Sequence, residues 1–290
     1  MVTITPFLWF NTEGREAAEF YTKIFKKSRV IRINKMENTP SGTVETVDFE
    51  LLGVEFNFMS AGPFHKINPS VSFVYNTTSL EEADFVWTQL LPESNVLMEF
   101  GEYPFADKFG WLQDKFGVSW QVNYSKNVKV SNITTNLMFV GKAYGKAEEA
   151  LNHYMKVFKN ASKEEIKRYE ESEAPEKKGL IKHADFTIEK RKFSILESGL
   201  DHKFFFNESM SFVINCTTQE EIDYYWDNLS ADEKAEQCGW LKDKYGVSWQ
   251  VVPIGFSELL EDPDKEKVKR KVQAFLKMKK IDIKTLEGIT

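Results

Sequence analysis

Thr5, Phe7 and Trp9 share one side of an extended segment and Leu8 and Phe10 the other, and this period of two predicts a half-buried strand. Over residues 13–25 the period lengthens: Ala17, Ala18, Phe20, Tyr21, Ile24 and Phe25 fall on one stripe of a helix, with Thr12 placed to cap it. Strand-like runs follow at 30–36, 44–52 and 54–59, separated by Gly42 and Gly53 as turn residues. The order then restarts with a strand at 70–75, a helix at 79–90 and strands ending at 118–124. Each half of this stretch reads as a β-α-β-β-β unit.

The pattern also recurs as a whole. The segment Gly110-Trp-Leu-Gln-Asp-Lys-Phe-Gly-Val-Ser-Trp-Gln-Val122 returns as Gly239-Trp-Leu-Lys-Asp-Lys-Tyr-Gly-Val-Ser-Trp-Gln-Val251, and Ile4–Phe10 pairs with Ile133–Phe139 at the same offset. Asn68–Asn76 pairs with Asn207–Asn215 at a longer offset, as duplicates with different loop lengths should. The expected architecture is α+β: one domain over 1–127, a second over 128–256, each from two β-α-β-β-β units curling a sheet around a shared cleft, and a helical tail over 257–290. The second copy is about ten residues shorter near 230–237, consistent with a lost edge strand. Asp262 and Pro263 read as the start of the tail helix, continued by Val268, Val272, Phe275 and Leu276.

Composition narrows the functional classes. With 42% hydrophobic residues and 24 Phe, two cores can be filled. A net charge of −6 argues against a nucleic-acid ligand, and the basic run at 265–280 is interleaved with apolar residues as on a solvated helix face. No run approaches the ~20 apolar residues of a membrane span, and the N-terminal segment lacks the marks of a signal peptide. Cys216 and Cys238, the two cysteines, have no metal-site spacing. A reduced, cytoplasmic protein is the expectation.

The opening Ile4–Phe10 with Glu16-Ala-Ala-Glu-Phe-Tyr21, the closing Cys238–Pro253 and the tail Met278-Lys-Lys-Ile-Asp-Ile283 resemble the PhnB-like proteins. That family lies within the glyoxalase, bleomycin-resistance and extradiol-dioxygenase (vicinal oxygen chelate) superfamily. Because the usual member is one such domain that pairs as a homodimer, the resemblance implies a dimer fused into one polypeptide, an intramolecular pseudo-dimer. Members often carry the label 3-demethylubiquinone-9 3-methyltransferase, but the Gly-rich turn that binds S-adenosylmethionine in a doubly wound sheet is missing from this sequence.

The resemblance also implies where a metal would sit, since metal-dependent members draw His, Glu or Gln from inward positions on four strands. The last ligand matches Gln121 and Gln250, the one opening the second unit matches Ser70 and Ser209, and the first-strand one matches Thr5 and Thr134. The fourth falls within 56–60 and 193–197, in a register the sequence leaves open. Neutral Gln, Ser and Thr are poor divalent-ion ligands, so no cofactor is expected. The same positions would line small-molecule clefts: Thr5, Phe7, Trp9, Ser70, Ser72 and Gln121 in one copy, Thr134, Asn136, Ser209, Ser211 and Gln250 in the other. They serve equally well as sheet packing. His65 and His202, in matching loops, and Glu197 are the candidate catalytic groups. Three readings stay open: a metal-independent small-molecule binder, a metal-dependent lyase or dioxygenase using Glu197 with His202, and the methyltransferase of the label. A chain whose clefts are filled by side chains would be structural only.

Overall fold

The computed structural model describes residues 2–39, 42–256 and 264–289. The first repeat runs β1 (Thr3–Phe10), α1 (Gly14–Ile24), β2 (Ser28–Thr39), β3 (Gly42–Leu51) and β4 (Val54–Ser60), then β5 (Val71–Thr77), α2 (Leu80–Leu90), β6 (Asn95–Tyr103), β7 (Ala106–Gln113) and β8 (Ser119–Tyr124). The second runs β9 (Asn132–Phe139), α3 (Ala147–Val157), β10 (Ala161–Arg168), β11 (Ile181–Ile188), β12 (Arg191–Glu197), β13 (Met210–Cys216), α4 (Gln219–Leu229), β14 (Trp240–Lys242) and β15 (Ser248–Pro253). Helices α5 (Lys265–Phe275) and α6 (Ile283–Glu287) follow. The expected capped start at Asp262 and Pro263 lies outside the described residues, and α5 opens instead on Asp264, whose carboxylate accepts from the Glu266 and Lys267 amides. Nor does Thr12 cap α1: no side chain caps it at Glu13, and the Gly14 amide donates to Ser60 Oγ at 3.1 Å.

The α+β class and the tandem units are as the pattern predicts, but the units combine differently. One sheet has the order β14-β15-β13-β1-β4-β3-β2 and the other β10-β11-β12-β9-β5-β8-β7-β6. The first sheet thus joins the opening unit of repeat one to the closing unit of repeat two, and the second sheet joins the remaining two units. The seams are antiparallel: β1 pairs with β13, Thr5 opposite Val213, and β5 pairs with β9, Val74 opposite Thr134. What the two units of one repeat share is a core, not a sheet. Phe56 meets Phe73 across the sheets at 5.0 Å, and Phe193 meets Phe212 at 5.3 Å. On that core side Tyr21, Phe25 and Trp120 pack together in repeat one, and Tyr154, Phe158 and Trp249 in repeat two. Trp120 and Trp249 are therefore core residues, whereas Trp111 and Trp240 lie on the opposite sheet faces.

The shortened second copy has lost the counterpart of β6, leaving β14 as a three-residue edge. Among the described residues no helix is long and apolar enough to cross a membrane.

Among the described residues, Arg191 is a cation buried between the sheets with no carboxylate bonded to it. Arg191 opens β12, is 8% exposed, and donates from Nη2 to the Glu55 carbonyl of β4 at 2.8 Å. Its Nε has no hydrogen-bond partner and its guanidinium lies 5.6 Å from the Phe56 ring. Burial pulls its pKa down to about 9 against the pull of Glu55. A buried charge so poorly compensated opposes folding, so Arg191→Met is expected to leave stability unchanged or raise it by about 1–2 kcal/mol in urea denaturation. A loss above that size would show that the Glu55 bond outweighs desolvation.

Candidate functional site

Strand alternation gives each sheet a core face and a cleft face. On the cleft face of the second sheet four neighbouring strands contribute one short polar side chain each, and these bond in series. Gln121 Nε2 (β8) donates to Ser72 Oγ (β5) at 2.8 Å, Asn136 Nδ2 (β9) donates to the same oxygen at 3.4 Å, and Ser194 Oγ (β12) donates to Asn136 Oδ1 at 2.9 Å. Ser72, Asn136 and Ser194 are at most 2% exposed. A second row lies two to four residues along the same face: Asn123 Nδ2 donates to Asn76 Oδ1 at 2.8 Å, and Asn76 Nδ2 to Asn132 Oδ1 and Thr134 Oγ1, both at 3.3 Å. Trp111 closes one side with its indole fixed, Nε1 donating to Ser119 Oγ at 2.7 Å. Asn76, Asn123, Asn132 and Trp111 stay partly exposed, so the floor is reachable from solvent. On the neighbouring strand β11, where Asp185 lies opposite Ser194, His183 Nε2 and Asp185 Oδ2 are 3.2 Å apart.

The equivalent face of the first sheet carries Thr5, Phe7, Trp9, Ser211 and Gln250. Gln250 Nε2 donates to Ser211 Oγ at 2.9 Å, repeating the first link. The series stops there, because Phe7 stands where Asn136 does in the other sheet. Phe7 instead meets Trp240 edge-on at 5.4 Å, and Trp9 meets Trp240 at 6.4 Å and His65 at 5.1 Å. Asn57, opposite Phe7, turns to Asp48 at 2.6 Å, which also takes Arg32 at 3.0 Å.

The residues expected to share a cleft are thus redistributed. Thr5, Phe7 and Trp9 lie with Ser209, Ser211 and Gln250, while Thr134 and Asn136 lie with Ser70, Ser72 and Gln121, because the seams join different repeats. Ser70 and Ser209 sit at strand starts, their amides bonded to Asn68 and Asn207 and their carbonyls accepting from Met138 and Trp9. The unfixed fourth position resolves to Ser194 and Asn57, opposite Asn136 and Phe7. Asn76, Asn123 and Asn132 were missed, although their even spacing from Ser72, Gln121 and Thr134 puts them on the same face.

Glu197 is not in a cleft. It shares the core face of β12 with Phe193 and Ile195, is 1% exposed, and accepts from the amide of Ala147, at the start of α3, at 3.1 Å and from Ile181 at 2.9 Å. It does for α3 what Ser60 does for α1. His202 bonds Ser198 Oγ at 3.0 Å, so the expected pairing of Glu197 with His202 is not formed. Burial holds both His65 and His202 below the ordinary histidine value, against the pull of Glu208 and Glu176 respectively. Among the described residues no three of His, Cys, Asp and Glu converge as metal ligands. The donors that do converge on four strands are neutral amides and hydroxyls already spent on one another, a set that does not suit a divalent ion. A hollow of about 800 Å³ lies away from both floors, beside the β6–β7 turn and residues 124–127.

The family model described as 3-demethylubiquinone-9 3-methyltransferase matches twice, over residues 2–123 and 131–252. A PhnB protein from Bacillus cereus whose name carries the same description is 34% identical over 42% of this chain and 98% of its own, with a TM-score of 0.39. Glyoxalase I from Zea mays is 9% identical over 87% of this chain and 93% of its own, with a TM-score of 0.53, a likeness of fold alone. No curated protein matches. The chain therefore belongs to the 3-demethylubiquinone-9 3-methyltransferase, or PhnB-like, family of the glyoxalase, bleomycin-resistance and dioxygenase superfamily, present twice in one polypeptide.

Proposed function

We propose that this protein binds an uncharged, hydrogen-bonding small molecule on the cleft face of the second sheet, without a metal ion. The observation that carries this reading is the series Gln121–Ser72–Asn136–Ser194, which crosses four strands and uses its donors and acceptors internally at 2.8–3.4 Å. A metal site would need free carboxylate or imidazole there. The partly exposed amides of the second row supply both donors and acceptors to a ligand, and Trp111 supplies a fixed aromatic surface for a planar part of it. The family description names a methyl transfer, and the glyoxalase I relative acts in a fold like this one. The row Gln121–Ser72–Asn136–Ser194 offers either activity only amides and hydroxyls bonded to one another.

The test is a thermal-shift screen of neutral heteroaromatic and amide compounds, with elemental mass spectrometry of the purified protein. A ligand at 100 times its Kd is expected to stabilise by about 2.7 kcal/mol, and Asn123→Leu should weaken binding about tenfold through one lost hydrogen bond. Near-stoichiometric retained metal would overturn the metal-independent reading, and a hit insensitive to Asn123→Leu would move the site elsewhere.

A further inference from the structure

The two cleft faces differ most in what lies on them. On the first sheet Phe7, Val213 and Val252 form one buried apolar cluster with Ile281 and Leu286 of the C-terminal segment, ringed by Met59, Trp240, Phe275 and Met278. Ile281 and Leu286 are fully buried, although they belong to a segment that no β-α-β-β-β unit needs. The contact is directional as well as apolar. The Cys238 amide donates to the Met278 carbonyl and the Gly239 amide to the Lys279 carbonyl, both at 2.8 Å. Gln219 clamps the next stretch, donating to the Ile281 carbonyl at 3.0 Å and accepting from the Ile283 amide at 3.0 Å. Lys280 pairs with Asp223 at 2.8 Å and Asp227 at 3.6 Å.

The docking place is the gap left by the missing strand. In repeat one β6 pairs along β7, and Gly110 of β7 packs under Trp87, where an added Cβ would lie 2.6 Å from the ring. In repeat two the matching Gly239 has φ +82°, and an added Cβ would lie 3.0 Å from Ile281. Exposed edge amides of a sheet are a ready site for an extended peptide. Residue changes on the face make it more apolar: Phe7 and Val252 replace the amides Asn136 and Asn123, and of its remaining hydroxyls Ser248 Oγ is buried without a hydrogen-bond partner.

We propose that the cleft face of the first sheet is a peptide site for an apolar segment of the pattern Ile-x-Ile-x-x-Leu, and that its resident is the chain's own Ile281–Leu286. A second consequence rests on the small-molecule reading above: the chain takes up one ligand, in the second cleft, rather than two.

The full-length chain carrying Ile281→Asp and Leu286→Asp is titrated with a peptide of residues 264–290. One peptide bound per chain is expected, with at least about tenfold weaker binding both by the natural chain, whose site is filled, and for a peptide bearing the same two changes. A folded double variant that ignores the natural peptide overturns the proposal. Should the double variant not fold, Lys280→Glu in the full chain sets repulsion against Asp223 and Asp227 in place of the ion pairs. Hydrogen exchange at the Cys238 and Gly239 amides should then quicken at least about tenfold, and unchanged exchange overturns the peptide site. For the stoichiometry, two small molecules per natural chain would sink the one-ligand consequence and spare the small-molecule reading. No small-molecule binding at all would sink that reading and leave the peptide result standing.

Discussion

Asp243→Ala is expected to destabilise the protein by about 3–5 kcal/mol, read as a fall in the urea midpoint at unchanged slope. The size follows from what converges on one buried carboxylate. Tyr154 Oη donates to Oδ2 at 2.7 Å and Trp249 Nε1 to the same oxygen at 3.0 Å, while the Tyr245 and Val247 amides donate to Oδ1 at 2.9 and 3.0 Å. Asp243 is 3% exposed, so no water replaces these bonds. Alanine would leave a phenol, an indole and two amides without acceptors, each costing about 1–3 kcal/mol, with partial relaxation keeping the total below their sum. The bond also spans the repeat, since Tyr154 is on α3 in one unit and Asp243 turns into β15 in the other. Tyr154→Phe, which removes one donor and leaves three, should cost only about 1 kcal/mol. Equal losses for the two variants would mean that ring packing, not the carboxylate, carries the junction.

This junction marks where sequence reading reaches its limit. The motif holding Asp114 and Asp243 is the strongest internal match in the chain and announces the duplication without ambiguity. Its partner tyrosines, Tyr21 and Tyr154, lie 93 and 89 residues away. Nothing in local periodicity links positions so far apart. The same gap explains the sheets: alternation in β1 tells which side chains share a face, but not whether the strand's free edge meets its own repeat or the other. Glu197 is different, because its even spacing from Phe193 and Ile195 already places it on the core side, and only its acidity points toward a cleft. The Phe7 and Asn136 contrast was visible in the aligned repeats too, yet its meaning depended on knowing that a tail covers one face.

The paired aspartates also make stability respond to pH in an unusual direction. Asp114 is 5% exposed and accepts from Tyr21 Oη at 2.5 Å and from the Phe116 and Val118 amides at 2.9 Å. Trp120 makes no bond matching that of Trp249, so this carboxylate has one donor fewer than Asp243. Desolvation outweighs the donors and raises its pKa from 3.8 to about 6. A folded-state value above the unfolded one means that the native protein takes up the proton first. Relative to a group that does not titrate, the contribution is therefore complete below pH 3.8, declines as pH rises through about 6, and is absent at pH 7 and above. Compared with Asp114→Asn, the natural protein should gain about 2 kcal/mol of unfolding free energy between pH 7 and pH 4. Taking the difference between the two proteins matters because other carboxylates work the opposite way. The bonds from Lys26 to Glu82 and from Arg168 to Glu148 hold those two below the ordinary value, so their support fades as pH falls, equally in both proteins. Urea unfolding of both at pH 7, 5 and 4 decides the matter. A difference that stays flat, or that falls toward acid, would show that the three hydrogen bonds stabilise the charge more than burial penalises it.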